Sequence, residues 1–218
     1  MNPARTILTL VRHGETSANV DGVWHGSTDT RLTPLGERQA RLVGRHARLN
    51  LADATIVYSS PLVRARVTAR AIAEALDAPL KVDAELSEYD LGRWEGKTYR
   101  ELQERHGLWD HMRRDPDFAP HGGESARQVT QRLERSLRRI ARAHPGERVF
   151  VVTHGGALSL VLGSLLDGDL RKWRRVMDNC AVSELVLEPT PELLYFNATR
   201  HLVESSSTGE ADSGQQTE

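Results

Sequence analysis

The chain contains 218 residues, of which 39% are hydrophobic and 27% are charged, and its formal net charge is -1. This balance indicates one globular domain with an ordinary core. It excludes a strongly basic molecule that would attract nucleic acid or an anionic membrane surface. Cys180 is the single cysteine, so the chain has no internal disulfide framework.

The start of the chain and its apolar runs predict where the protein works. Residues 1–6 lead into a short strand without the pattern of a signal peptide. No apolar run is long enough to span a bilayer. We therefore expect a cytoplasmic protein with no membrane partner. Cys180 precedes Ala-Val before a strand, so we expect a small buried hydrophobe rather than a nucleophile.

Apolar strands and amphipathic helices alternate along the chain. The first strand is predicted over residues 6–11, and a helix over 34–50 follows, with Thr33 as its N-cap. This alternation predicts an α/β fold, a three-layer α/β/α sandwich with a mostly parallel central sheet. The remaining predicted elements are a strand over 54–58, a helix capped by Ser60-Pro61 and ending near Asp77, a helix over 125–144, a strand over 148–153, a helix from Gly155 to about Leu166, and strands over 182–187 and 192–196.

Residues 89–123 differ from the rest, because they are rich in turns and contain Trp94 and Trp109. Thr98 and Glu101 form a capping box that predicts a short helix there. We expect this stretch to be a lid-like excursion of one domain spanning residues 1–203. Residues 204–218 are polar, and we expect them to be disordered.

Two predicted strands end in an imidazole followed by glycine. The first ends in Arg12-His13-Gly14, and the third ends in His154-Gly155-Gly156 just before a helix. Ligands of α/β sheets bind at the carboxyl ends of the strands, and a helix N-terminus offers free N–H groups to an anion. We therefore expect His13 and His154 to meet above the sheet around a phosphoryl group.

Further motifs follow in a specific order along nearly the whole chain. Together they resemble the histidine phosphatase superfamily, whose fold is shared with phosphoglycerate mutases. The matching segments are Leu10-Val11-Arg12-His13-Gly14-Glu15-Thr16 with Asn19, Gly26-x-x-Asp29-x-x-Leu32-Thr33-x-x-Gly36-x-x-Gln39-Ala40, Ser59-Ser60-Pro61-Leu62-x-Arg64-Ala65 with Thr68-Ala69, Glu88 with Gly92-x-Trp94-Glu95-Gly96, Gly123-Glu124-Ser125, and Thr153-His154-Gly155-Gly156.

The resemblance implies a role for each matching residue. His13 would attack phosphorus and form a phosphohistidine, and a hydrogen bond at its other ring nitrogen should fix the neutral tautomer. Arg12 and Arg64 would hold the phosphoryl oxygens, and His154 would donate to the same oxygens. Asn19 and the Gly155 amide would complete this cradle. With that many fixed cations, we expect neither a metal nor a cofactor.

Glu88 is implied as the proton donor to the leaving alkoxide, and then as the base that activates water. That role requires a carboxyl that is partly withdrawn from solvent. Asp90, Glu95 and Glu124 are the other candidates. Of these, we expect Glu95 and Glu124 to bond loop amides instead.

Two histidines depart from the family pattern. His25 precedes Gly26 where relatives usually carry glutamine, so this pair is a candidate for substrate binding, although His25 could equally be a tolerated change at the rim. His121 adds another histidine near the expected mouth, with no assigned role. The basic cluster over 171–175 is predicted to be the solvated face of a helix.

Three functions are compatible with these residues. A phosphatase releases the phosphoryl group of a small soluble metabolite to water, whereas a mutase returns it to another hydroxyl of the substrate. A non-catalytic protein would only bind phosphorylated ligands, and the filled catalytic positions disfavour it. The segment after Glu88 lacks the long insertion of cofactor-dependent mutases, which favours the phosphatase. The oligomeric state stays open, with a homodimer as one option.

Overall fold

A computed structural model of the protein describes residues 5–119 and 121–203. Within them a single six-stranded sheet has the order β3-β2-β4-β1-β5-β6. The strands are β1 (Ile7–Arg12), β2 (Ala54–Ser59), β3 (Leu80–Val82), β4 (Arg148–Thr153), β5 (Val182–Val186) and β6 (Glu192–Ala198). The helices are α1 (Ser17–Val20), α2 (Pro34–Asn50), α3 (Val63–Leu76), α4 (Tyr99–Glu104), α5 (Leu108–Arg114), α6 (Ala126–Ala143) and α7 (Gly155–Asp167).

The first four strands are parallel, and the hairpin β5–β6 adds two strands that alternate in direction. Helices α2 and α3 cover one face of the sheet, where Val43 and Ile72 pack against Val57 and Phe150. Helices α6 and α7 cover the opposite face. The predicted three-layer α/β/α sandwich is confirmed.

The register of the central strands places the chemistry at one edge of the sheet. Strands β1 and β4 pair in parallel with Arg12 beside Thr153, and the His13 N–H donates to the Thr153 carbonyl at 3.0 Å. The neighbouring strand β2 ends beside β4, where the Ser60 N–H donates to the Val152 carbonyl at 3.0 Å. Three strands therefore deliver His13, His154 and Ser60 to the same carboxyl edge.

The described residues of the excursion over 89–123 pack against the helices of the sandwich. Its buried side chains Leu91, Leu102, Leu108 and Met112 belong to the same hydrophobic cluster as helices α6 and α7. The predicted capping box at Thr98 is present and opens α4. Hydrophobic packing therefore fixes this lid-like segment on the sandwich.

Several predicted boundaries need correction. Helix α3 begins at Val63, and its N-cap Leu62 makes no side-chain cap bond, so Ser60-Pro61 is not its cap. The basic cluster does not lie on an α-helix, because only a single 3₁₀ turn, Leu170–Lys172, forms there. Helices α1 and α5 and strand β3 were not anticipated, since each is too short for a periodic pattern.

Further expectations concern the single cysteine, membrane-spanning helices and the end of the chain. Cys180 is fully buried, as expected, and burial raises the pKa of its thiol. No helix in the described ranges is both long and apolar enough to cross a membrane. The expected disorder of residues 204–218 lies outside the described residues.

Candidate active site

His13 lies directly after β1 and is only 2% exposed. Its Nδ1–H donates to the Gly14 carbonyl at 2.7 Å, which fixes the tautomer and leaves Nε2 with its lone pair. Burial, together with the nearby Arg64 and Arg12, lowers the pKa of His13 well below its usual value. The imidazole is therefore neutral, and its role as the nucleophile stays a prediction.

His154 lies beside it, with the two ring centroids 5.1 Å apart. The Nε2 atom of His154 and the Ser60 hydroxyl are 2.7 Å apart, whereas Nδ1 is buried without a hydrogen-bond partner among the described residues. Burial, followed by the charge of Arg64, lowers the pKa of His154 well below its usual value. The expected meeting of the two histidines is confirmed.

Two arginines supply fixed positive charge. The Arg12 Nη1 donates to the Met177 carbonyl at 2.7 Å, and its Nε has no partner among the described residues. Arg64 is completely buried at the start of α3, where Nη1 and Nη2 donate to the carbonyls of Thr28 and Gly26. Its Nε likewise has no partner in the described part of the chain. Unsatisfied buried donors of this kind suit an anion.

Glu88 is 8% exposed and lines the same cavity. Its Oε1 accepts from the amides of Tyr89 and Ala157, both at 2.8 Å, and its Oε2 accepts from the Gly156 amide at 3.0 Å. The carboxylate therefore caps the N-terminus of α7, whose own N-cap His154 makes no side-chain cap bond. Oε1 accepts two of these bonds and Oε2 accepts one.

Asn19 and Gly155 also line the cavity. The Asn19 Oδ1 accepts from the Thr16 amide at 3.1 Å and from the Asn179 side chain at 3.2 Å, which leaves its Nδ2 to face an anion. A Cβ on Gly155 would lie 3.1 Å from the Arg12 Nε, so a larger residue here would push against the guanidinium. The part of Asn19 and Gly155 in binding a phosphoryl group stays a prediction.

Asn179 is a functional candidate that the sequence analysis missed. Its side chain donates to the His13 carbonyl at 2.9 Å as well as to Asn19. It holds the main chain of the nucleophile from the segment before β5. The residue stands in a stretch without periodicity or a recognised motif, so no sequence signal could have found it.

His25 is buried, and its ring centroid lies 6.0 Å from that of His13. Its Nδ1 is 2.5 Å from the Thr30 hydroxyl. Burial, with Arg64 and Arg12, lowers the pKa of His25 to about 3. The side chain is therefore neutral at physiological pH and contributes no charge to the cavity. Gly26 lines the same wall.

Glu95 and Glu124, two of the other acidic candidates, accept hydrogen bonds from loop amides. Glu95 accepts from the amides of Ser27 and Thr28, at 2.7 and 3.0 Å. Glu124 accepts from the Asp90 amide at 3.3 Å and pairs with Arg132 at 2.6 Å. The expectation that Glu95 and Glu124 bond loop amides is confirmed.

His121 does not lie at the mouth. It is 1% exposed, packs 5.0 Å from the Trp94 ring, and accepts from the Gly123 amide at 3.1 Å. The basic cluster is also engaged locally, since Arg171 and Arg175 pair with Asp169 and Asp167.

The cavity above His13 has a volume of about 390 Å³. Beyond the residues already described, its wall is aromatic and apolar, which the sequence analysis did not predict. The wall side chains come from the loop after α1, from the lid, from α7 and from the segment after α7, and they include Trp24, Trp109, Met112, Leu160, Trp173 and Val176. Ser159 adds a hydroxyl that is 4% exposed and has no hydrogen-bond partner among the described residues.

No group of three or more histidine, cysteine or carboxylate side chains within 5–119 and 121–203 is arranged to hold a metal ion. Independence of a metal stays a prediction.

Comparisons with known proteins agree with this geometry. The family model of the histidine phosphatase superfamily (branch 1) matches residues 8–198. Phosphoserine phosphatase 1 of Hydrogenobacter thermophilus is 33% identical over 203 residues, covering 90% of this chain and 94% of that protein. A probable phosphoglycerate mutase of Klebsiella pneumoniae is 34% identical over 187 residues, covering 84% and 86%.

A solved structure of mycobacterial glucosyl-3-phosphoglycerate phosphatase superimposes with a TM-score of 0.78 at 30% identity, covering 90% of this chain and all of that one. The match of the family model over almost the whole described chain, the shared fold and the paired histidines lead to one assignment. The chain belongs to the histidine phosphatase superfamily (branch 1).

Proposed function

We propose that the protein is a phosphatase that hydrolyses a small phosphomonoester through a phosphohistidine intermediate. The observation that carries the proposal is the state of His13, a neutral imidazole with Nδ1–H bound to Gly14 and Nε2 available beside two arginines. Relatives named as phosphatases support hydrolysis as the outcome.

In the first step His13 Nε2 attacks phosphorus while the bond to the leaving oxygen breaks. Arg12, Arg64 and His154 stabilise the negative charge on the phosphoryl oxygens. Glu88 delivers its proton to the leaving alkoxide, which departs as the alcohol. The products of this step are the phosphoenzyme and ionised Glu88.

In the second step Glu88 takes a proton from water, and the resulting hydroxide attacks phosphorus as the P–N bond breaks. The reaction returns neutral His13, protonated Glu88 and inorganic phosphate. Water has a route to the site, because the cavity wall includes Val176 and Tyr99, which are 60% and 41% exposed. This access favours hydrolysis over return of the phosphoryl group to a second hydroxyl.

The test is replacement of the nucleophile. His13→Ala should abolish phosphate release from 4-nitrophenyl phosphate, without rescue by added Mg²⁺. Wild-type enzyme quenched during turnover should carry acid-labile, base-stable phosphate. His46→Ala is the matched control, since that histidine stacks on His201 away from the cavity.

Activity retained in His13→Ala, or dependence on Mg²⁺, would contradict the mechanism. Conversion of 3-phosphoglycerate to its 2-isomer without free phosphate would establish the mutase instead.

A further inference from the structure

The part of the cavity beyond the phosphoryl cradle is built from aromatic side chains of separate segments. Trp24 is 8% exposed, and its ring centroid lies 5.8 Å from that of Trp109 on α5. Met112, one turn later on α5, is 2% exposed, and Leu160 of α7 is equally buried. Trp173 completes this wall from the segment after α7.

The wall has little positive charge to offer a second anionic group. Among the described residues that line the cavity, the permanent cations are Arg12, in the phosphoryl cradle, and Arg113. The Arg113 guanidinium pairs with Asp110 at 2.6 Å and lies 5.8 Å over the Trp173 ring. Its charge is therefore already balanced by the Asp110 carboxylate. A carboxylate on the leaving group would lose hydration here without gaining an ion pair.

The size of the cavity fits a substantial leaving group. Its volume of about 390 Å³ lies within the range of pockets that enclose whole organic ligands, roughly 300–1,000 Å³. Binding of an apolar ligand is favourable at walls of this kind, because apolar surface is removed from water.

Resting on the proposed phosphatase activity, we propose that the substrate is a monophosphate whose leaving group is bulky and apolar and carries no second anionic group. Trp109 and Trp173 determine this preference by packing against the leaving group. The wall thereby distinguishes this chain from a phosphatase for phosphorylated hydroxy acids.

The test compares three esters of primary alcohols: 2-(2-naphthyl)ethyl phosphate, ethyl phosphate and O-phosphoserine. Each releases a primary alkoxide, so the comparison limits the influence of leaving-group chemistry. Wild-type kcat/KM should be at least about tenfold higher for the naphthyl ester than for ethyl phosphate, because its ring is buried in the transition state as well as in the bound substrate. Phosphoserine should be the poorest of the three.

Trp109→Ala should lower the ratio of kcat/KM between the naphthyl and ethyl esters by about fivefold or more, since a ring contact is lost. Trp94→Ala is the matched control from the same lid, because Trp94 stacks on His106 at 4.3 Å instead of lining the cavity. This control should leave the ratio unchanged. Val176→Lys changes a residue that is 60% exposed, so it avoids core packing, and should shift preference toward phosphoserine.

The outcomes separate the two proposals. Release of phosphate from ethyl phosphate or phosphoserine as fast as from the naphthyl ester would overturn the leaving-group proposal and leave the phosphatase intact. An unchanged ratio in Trp109→Ala or an unchanged preference in Val176→Lys would also overturn it. A wild-type enzyme that releases phosphate from none of the three esters, nor from 4-nitrophenyl phosphate, would overturn the phosphatase itself.

Discussion

Glu88 combines two tasks in one carboxyl group: it caps α7 through the Gly156 and Ala157 amides and faces the cavity. The main-chain amides at the start of α7 therefore hold the side chain in place. A Cβ on Gly156 would lie 2.9 Å from the Glu88 Oε1. The glycine is therefore required for the carboxyl to reach its position.

A change of Glu88 should affect substrates according to their leaving groups. We expect Glu88→Gln to lower kcat/KM for ethyl phosphate by about 10²–10⁴-fold, because an alkoxide needs a proton to depart. 4-Nitrophenyl phosphate should lose far less, and it should show a burst of nitrophenol, since the base for the second step is missing. Stopped-flow and steady-state kinetics measure both effects.

Glu15→Gln is the control for this prediction. Glu15 lies two residues from the nucleophile, but its side chain accepts from Thr33 at 2.7 Å and does not line the cavity. Equal losses for ethyl and 4-nitrophenyl phosphate in Glu88→Gln would show that Glu88 is not the proton donor.

The sequence reveals those site residues that are marked by their neighbours in the chain, and it misses those that reach the site only through tertiary packing. His13, His154 and Arg64 lie at strand ends or at a helix start, so neighbouring residues reveal them. Asn179 and Trp173 come from an irregular segment whose position depends on packing. Their identity as site residues depends on contacts with distant parts of the chain.

At the scale of elements, helix α6 fixes the loop that carries Glu88. The Arg132 guanidinium donates to the carbonyls of Ser87 and Glu88 at 2.7 and 2.8 Å, and it pairs with Glu124. Its side chain is only 12% exposed. The Arg132 guanidinium therefore joins α6 both to the loop that carries Glu88 and to Glu124, which lies just before α6.

Arg132→Lys should loosen this loop, because an ammonium cannot reproduce the fork of donors. We expect a loss of about 1–3 kcal/mol in the free energy of unfolding, measured in urea. Activity on ethyl phosphate should fall more than activity on 4-nitrophenyl phosphate, since Glu88 is displaced. Arg135→Lys, whose side chain is 63% exposed, should change neither quantity appreciably. A stability of Arg132→Lys equal to that of the wild type would refute the role of the link.

Long elements were predictable, whereas among the short ones only α4 was, because its capping box marks its start. Helix α2 begins and ends where its Thr33 cap and its apolar stripe indicate, over Pro34–Asn50. Helix α5 has seven residues and strand β3 has three, which is too little for a period to emerge. Their formation depends on packing against the rest of the molecule, and α5 supplies much of the leaving-group wall.

At the scale of the whole molecule, buried histidines make the fold sensitive to acid. Burial and nearby arginines lower the pKa values of His13, His25 and His154 below 6.5 in the folded state. Below about pH 6.5 the unfolded chain therefore binds protons that the folded chain does not. The contribution of these histidines to the free energy of unfolding is therefore complete above this pH and decreases as the pH falls below it.

His25→Gln should reduce this loss. Between pH 7 and 5.5 the wild type should lose about 1 kcal/mol of unfolding free energy for each such histidine. The variant should lose about 1 kcal/mol less, because glutamine takes up no proton. Urea titrations at the two pH values, without substrate, measure the difference. The same loss in both proteins would contradict the lowered pKa of about 3 for His25.

The pairing of β1 with β4 has a consequence for the time course of folding. The hydrogen bond from the His13 N–H to the Thr153 carbonyl brings the two active-site histidines together, although they lie in opposite halves of the chain. Contacts between such distant segments carry a large loop-closure cost and form slowly. Recovery of catalysis after dilution from urea should therefore lag behind recovery of helical circular dichroism. The rate at which activity returns then reports the rate at which the central sheet is completed.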